Sequence, residues 1–227
     1  MESTLVHPQV MVATPDDSPT PVAVPNSQVE AAASLWPGVT PYLFNAEQFS
    51  RMVEARVFPR ELRLELWDGK VYEKMAKLRA HSLAAAKFLE ALGRIKPAGW
   101  YLNLEESISL DTGKVPLPDV VLIRGQPEDY RDGHATNSDV GLLVELSYTS
   151  LRDDTGPKLA GYARAAIPQY WVANLVANVL IVHRDPVPEE SRFATVETYP
   201  HGESAPLILD GVEVARIAVS DLLPLPR

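Results

Sequence analysis

A carboxylate inside an apolar strand constrains this chain more than any other feature. The stretch from Gly141 to Leu175, GLLVELSYTSLRDDTGPKLAGYARAAIPQYWVANL, reads as a buried strand, a polar loop, a short helix and a second strand carrying Tyr170 and Trp171. Glu145 interrupts the apolar run of the first strand. An ionised carboxylate there is costly unless a cation meets it. Asp154 and Lys158 lie four residues apart, where the loop enters the helix.

The other elements follow in chain order. Residues 1–39 are rich in proline (Pro8, Pro15, Pro19, Pro21, Pro25, Pro37) and keep no hydrophobic period, which predicts a flexible tail ahead of a folded domain over 40–227. Asn45, with Gln48 three residues on, forms a capping box, and Phe44 and Phe49 are spaced as a hydrophobic staple, so a helix runs from about Ala46 to Arg56. Leu62, Leu64 and Leu66 alternate with Arg63 and Glu65, Asp68-Gly69 makes a two-residue hairpin turn, and Lys70 to Met75 returns. Glu65 is then on the strand face opposite the leucines.

A helical stripe runs from His81 to Ile95 and stops at Pro97 and Gly99. Strands are predicted over Trp100–Leu110 and Val115–Ile123, with Pro118 and Asp119 at the start of the latter's unbroken apolar run. Arg124 to Asp139 reads as a loop and Gly141 to Leu146 as a strand. The helix then spans about Gly156 to Ala165, with Pro157 in its first turn and Asp153 or Asp154 as cap. Gln169–Asn174, Val179–His183, Thr195–Tyr199, Leu207–Leu209 and Glu213–Ile217 complete a mixed α/β sheet with helices on its faces and additional hairpins.

Three carboxylates, Glu65, Asp119 and Glu145, occupy strand positions where acids are unusual. If the strands of Asp119 and Glu145 pair antiparallel, the two acids meet at one sheet end, and a shared divalent cation relieves their repulsion. The alternative is a turn-capping Asp119 and a Glu145 paired with an arginine. Lys158, at a helix N-terminus where its charge opposes the dipole, is either a surface lysine or turned towards a negative site. Asp154 is a cap or a ligand, and His81 a structural group or a proton shuttle beside the site. Tyr162 shares the Lys158 face, to bind phosphate or to pack.

Cysteine is absent, which excludes disulfides and thiolate metal sites and fits a reducing cytosol. No apolar run is long enough to span a bilayer, and no Lys or Arg precedes Arg51 as a basic signal-peptide region would require. The expectation is a soluble cytoplasmic protein. A net charge of −9 argues against coating nucleic acid by charge alone, although an acidic metal site reverses sign when its ion binds.

Residues of about 40 to 200 resemble the Uma2 proteins, also called DUF820, which look like members of the PD-(D/E)XK nuclease superfamily. The matching pieces are LELWDGKVYEKM (64–75), His81 opening a helix, PLPDVVLIR (116–124) and LLVELSYTSLRDDTGPKLAGYARAAIPQYWV (142–172). The resemblance implies a restriction-endonuclease-like sheet flanked by helices. It also implies a Mg²⁺- or Mn²⁺-dependent endonuclease acting on DNA, working as a homodimer. Asp119 then stands for the Asp of the PD pair and Glu145 for the (D/E)XK acid. Glu65 matches the superfamily's additional Glu, and the backbone carbonyl of Leu146 joins Asp119, Glu145 and Glu65 around the ion. The superfamily's lysine position falls on Ser147, and Lys158 on the following helix takes its place. Tyr148, Gln169 and Asn174 depart from residues frequent in relatives. Two other readings stay open: an inactive binding or scaffold module on the same fold, and a hydrolase of another phosphoester.

Overall fold

The computed structural model describes residues 39–75 and 77–224. By contacts the chain divides into Met1–Pro41 and Tyr42–Arg227, and every element below belongs to the second unit. The expected tail lies outside the described residues apart from Val39.

Helix α1 (Ala46–Glu54) starts at the anticipated box: the Asn45 side chain accepts from Gln48 N at 2.8 Å and Gln48 Oε1 accepts from Asn45 N at 3.0 Å. Phe44 and Phe49 pack with Leu66 and Val115 in one small cluster. Strands β1 (Leu64–Trp67) and β2 (Lys70–Glu73) form the hairpin, in register Leu66↔Val71 and Trp67↔Lys70. Asp68 and Gly69 both have positive φ, 49° and 75°, the primed turn whose twist suits a hairpin. Helix α2 (Arg79–Ile95) begins slightly before His81.

Then follow β3 (Trp100–Leu104), β4 (Ile108–Ser109), β5 (Val120–Arg124), β6 (Ala135–Thr136) and β7 (Val140–Ser147). Two strands are shorter than expected. Trp100–Leu110 breaks at Glu105, whose φ is 51°. The strand expected from Val115 starts only at Val120, because Pro116 and Pro118 have no N–H to give a ladder.

The crossover after β7 also differs. A short helix α3 (Leu151–Asp153) comes first, a π turn spans Asp154–Lys158, and α4 (Leu159–Arg164) completes the crossover. The helical segment thus starts five residues before Gly156. Pro157 sits inside it, and the wider π turn accommodates a residue that cannot donate the usual hydrogen bond. The expectation of Asp154 as a cap is overturned: it lies inside the segment and its side chain makes no cap bond.

Strands β8 (Gln169–Asn174), β9 (Val179–Val187), β10 (Arg192–Pro200), β11 (Ser204–Leu209) and β12 (Val212–Ala218) and helix α5 (Val219–Leu222) finish the chain. The six-stranded sheet has the order β10-β9-β8-β7-β5-β3. Only β7 and β8 are parallel, as their helical crossover requires. One face packs Val120, Leu122, Leu142, Val144 and Trp171 against Phe88 and Leu92 of α2. The opposite face packs Val121, Ile123, Leu143 and Tyr170 against Tyr162 and Ala163 of α4. All eight residues of β7 are buried, which is why its sequence does not alternate. Among the described residues no helix is long and apolar enough to cross a membrane.

Two contacts on the α4 face give stability tests. A Cβ on Gly161 would stand 2.5 Å from Cζ3 of Trp67, so α4 lies directly on the hairpin's indole. Gly→Ala inside a helix ordinarily stabilises by about 1 kcal/mol. Here Gly161→Ala is expected to destabilise by about 1–3 kcal/mol, the usual cost of overpacking. Urea unfolding showing a gain would refute the close contact.

His183 is the second. It stacks on Tyr170, lies beside Phe193, and neither ring nitrogen has a partner among the described residues. Burial pulls its pKa down to about 4, from 6.5. The unfolded chain therefore binds the extra proton first, and stability is lost as pH falls from about 6.5 to 4. After allowance for solvent screening this is worth about 2 kcal/mol. The stability gap between His183→Phe and wild type should move by that amount, in the variant's favour, between pH 7 and pH 4.5. Parallel unfolding curves at the two pH values would count against it.

Candidate active site

The site forms where three separate segments meet over one end of the α4 face. Register Val120↔Val144 between antiparallel β5 and β7 sets Asp119 opposite Glu145 at the next step of the ladder. Alternation puts both on the same face as Val121, Leu143 and Tyr162. Glu65 arrives from β1, on the strand face away from buried Leu66. The acids are 4% (Glu65), 7% (Asp119) and 1% (Glu145) exposed, so each depends on its partners.

Glu145 is held by cations on both oxygens. Its Oε1 accepts from Lys158 Nζ at 3.0 Å and from the Tyr162 hydroxyl at 3.0 Å, and its Oε2 accepts from Lys74 Nζ at 3.2 Å. Burial pushes its pKa up. Lys158 and Lys74 outweigh that and hold it at about 2. Lys158 also donates to Glu65 Oε1 at 3.2 Å, an oxygen that accepts from Leu117 N at 2.9 Å as well. Asp119 accepts from Lys74 at 2.8 Å on Oδ1 and from Leu146 N at 2.7 Å on Oδ2. Its pKa is raised, first by burial and then by Glu145, with Lys74 opposing. Burial would discharge both lysines. The surrounding acids, Glu145 foremost, outweigh it and raise their pKa values, so both remain ammonium ions at neutral pH.

Asp154 stands behind this cluster. It is 3% exposed and accepts from the hydroxyls of Ser147 and Ser150. Burial, then the Glu145 charge, lifts its pKa to about 6. Tyr170 donates to the Asp154 backbone carbonyl at 2.9 Å, which anchors the π turn to β8. His81 lies outside the ion-pair cluster. It faces Tyr148, its Nδ1 is buried without a partner among the described residues, and burial lowers its pKa against the pull of Asp119. Gln169 donates to the Ile208 carbonyl, and Asn174 accepts from Val176 N and Ala177 N, so both serve the fold.

The structure therefore brings Glu65, Asp119, Glu145, Lys158 and Tyr162 together, with Asp154 one step behind and His81 at the margin. Lys74 is the member that sequence reasoning missed. Its signal was available: once Asp68-Gly69 fixes Glu65↔Tyr72, alternation puts Lys74 on the same hairpin face as Glu65.

Asp119 and Glu145 each direct an oxygen at one cation position, now taken by the Lys74 ammonium, which also donates to the Leu117 carbonyl at 2.8 Å. Among the described residues no three His, Cys, Asp or Glu side chains form a metal-ready group. Two carboxylates are nevertheless what Mg²⁺ ordinarily takes from protein, the rest of its shell being water and substrate oxygen. The donor set fits a divalent ion on that basis. Leu146 contributes its N–H to Asp119.

Comparisons with known proteins bear on the family and the fold. A family model, Uma2, described as "Putative restriction endonuclease", matches residues 46–220. A protein from Anabaena variabilis ATCC 29413, described as a "putative nuclease belonging to DUF820", superposes with a TM-score of 0.60 at 13% identity. The match covers 79% of this chain and 97% of that one. No curated protein matches the chain.

Lys158 bridges two buried acids, so its removal is expected to be expensive. Lys158→Met should cost about 3 kcal/mol of unfolding free energy, as breaking a buried ion pair does. In a Glu145→Gln background the cost should fall to less than about half of that. A double-mutant cycle by urea denaturation checks it, and additive effects would mean that the two groups are not coupled.

Proposed function

The chain belongs to the Uma2 family, and from that premise we propose that it is a metal-dependent endonuclease that hydrolyses phosphodiester bonds in DNA. One observation carries the reading: Asp119 and Glu145 sit side by side on a single cation position, backed by a second lysine. Asp119 and Glu145 would hold Mg²⁺ or Mn²⁺, with Glu65 and the Leu146 backbone as the remaining expected contributors. Such an ion supplies Lewis acidity and lowers the pKa of bound water.

The chain's own residues do the rest. Lys158 is fixed between Glu65 and Glu145, and its ammonium charge is secured by them. It is suited to stabilising negative charge as it develops on a phosphate, not to removing a proton. Tyr162 has its pKa pushed well up by burial and by Glu145, so its hydroxyl remains a donor that keeps Glu145 oriented. Asp154, tied to Ser147 and Ser150, holds the π turn that presents Lys158. DNA as substrate, action as a homodimer and a cytoplasmic location belong to the same proposal.

A second reading has one observation in its favour. The cluster already neutralises much of its own charge through Lys74 and Lys158, as a non-catalytic module on this fold would.

Plasmid cleavage separates them. The wild-type protein should nick or linearise plasmid with Mg²⁺ or Mn²⁺ and not in EDTA. Asp119→Ala and Lys158→Ala should each lower the rate by at least about 100-fold, the usual loss when an electrostatic stabiliser is removed. Equal rates for all three folded proteins would sink the nuclease reading.

A further inference from the structure

Lys74 enters the site from an unusual direction. The β2 ladder ends at Glu73, and Lys74 is anchored one step beyond by its N–H to the Arg63 carbonyl at 2.7 Å. Its side chain turns inward, and its ammonium is surrounded by three oxygens: Asp119 Oδ1 at 2.8 Å, the Leu117 carbonyl at 2.8 Å and Glu145 Oε2 at 3.2 Å. Two of those oxygens are the ones that the proposed ion would use. We propose that Lys74 is the site's own exchangeable cation, holding Asp119 and Glu145 together until a divalent ion displaces it. The proposal rests on the metal-dependent reading above and adds a residue to it.

Geometry supports exchange over coexistence. The Lys74 ammonium already stands on Asp119 Oδ1 and Glu145 Oε2, the two oxygens that the ion would take. A divalent ion and an ammonium at one position repel at contact distance, so the ion takes those oxygens as Lys74 leaves them. Lys158 sits on Glu65 and on the other oxygen of Glu145, and it stays.

The two lysines are also not equivalent. Lys158 is held between Glu65 and Glu145, on an oxygen it shares with Tyr162. Among the described residues Lys74 donates only to the two acids that the ion would take and to one carbonyl. The next residue, Met75, is 72% exposed, so solvent lies immediately beyond. An unbranched four-carbon stem can carry the ammonium there without moving the backbone.

The same device would keep the two acids ordered without metal. Asp119 and Glu145 repel each other, and the Lys74 ammonium relieves that. A divalent ion would therefore find its carboxylates already placed, and its affinity would be set by competition with Lys74.

Isothermal titration of the full chain with MnCl₂ tests this without reference to catalysis. Lys74→Met should bind Mn²⁺ at least about tenfold more tightly than wild type, since it removes a competing charge. Lys74→Arg keeps the charge and should bind no more tightly than wild type. In EDTA, Lys74→Met should melt below wild type, and saturating Mn²⁺ should close that gap. Lys74→Gln, which keeps a donor without the charge, carries the test if the Met variant does not fold. Equal or weaker Mn²⁺ binding by a folded neutral variant overturns the proposal and leaves the metal site standing. No Mn²⁺ binding by any of the proteins overturns the metal-dependent reading and this proposal with it.

Discussion

The structure turns on Glu145 and the cations that allow it to be buried. A carboxylate at 1% exposure in the centre of a six-stranded sheet, left alone, would have to take up a proton or cost the fold several kcal/mol. Here its two oxygens take three donors, Lys74, Lys158 and Tyr162. Those donors come from the hairpin and the crossover, which do not share a strand with Glu145. The cluster is thus a tertiary clasp as well as a site. The hairpin approaches the sheet because Lys74 and Glu65 have partners there, and Trp67 lies against Tyr162 and Gly161 for the same reason. Stability and the proposed chemistry share one set of contacts.

The crossover shows how the chain manages with a serine at 147. Alternation along β7 places Ser147 on the face of Glu145, fully buried. Its hydroxyl meets Asp154, which also takes Ser150, and the helical segment is thereby tied to the strand end. Between Asp154 and Lys158 the segment widens into a π turn around Pro157. A π turn changes the angular position of every residue after it, and Lys158 is the first side chain to benefit. It reaches Glu65 and Glu145 from above the sheet, where a lysine on β7 would have reached them from within it.

Much of this was legible in the sequence where local chemistry dominates. Asn45 with Gln48 specified a helix start, Asp68-Gly69 specified a hairpin, and unbroken apolar runs specified strands covered on both faces. The convergence of Asp119 and Glu145 followed from one assumption, antiparallel pairing, which the β5–β7 ladder satisfies. What was not legible depends on distant partners. Glu105 continues an alternating pattern yet takes a left-handed backbone, held by Arg63 and Lys77 from elsewhere in the chain. The early helix start after β7 depends on Ser150 and the Asp154 network, and Gly-Pro at 156–157 pointed to a later one. Family resemblance carried the acids and Lys158 onto their positions, and the structure brings them together.

Lys74 escaped for a different reason. Its pattern was in the register, but a lysine at the end of an exposed-looking hairpin strand is usually solvated. What sets it apart is the deficit of positive charge at the site, and that deficit exists only after three strands are assembled. Glu65, Asp119 and Glu145 lie far apart along the chain, and no local window contains the sum. Once folded, the sum demands a second cation beside Lys158, and Lys74 is the one within reach. Residues that bring buried acids together can therefore be sought by balancing buried charge across a predicted sheet, in addition to matching motifs along the chain. In this protein that balance singles out a residue for which alternation alone had no use.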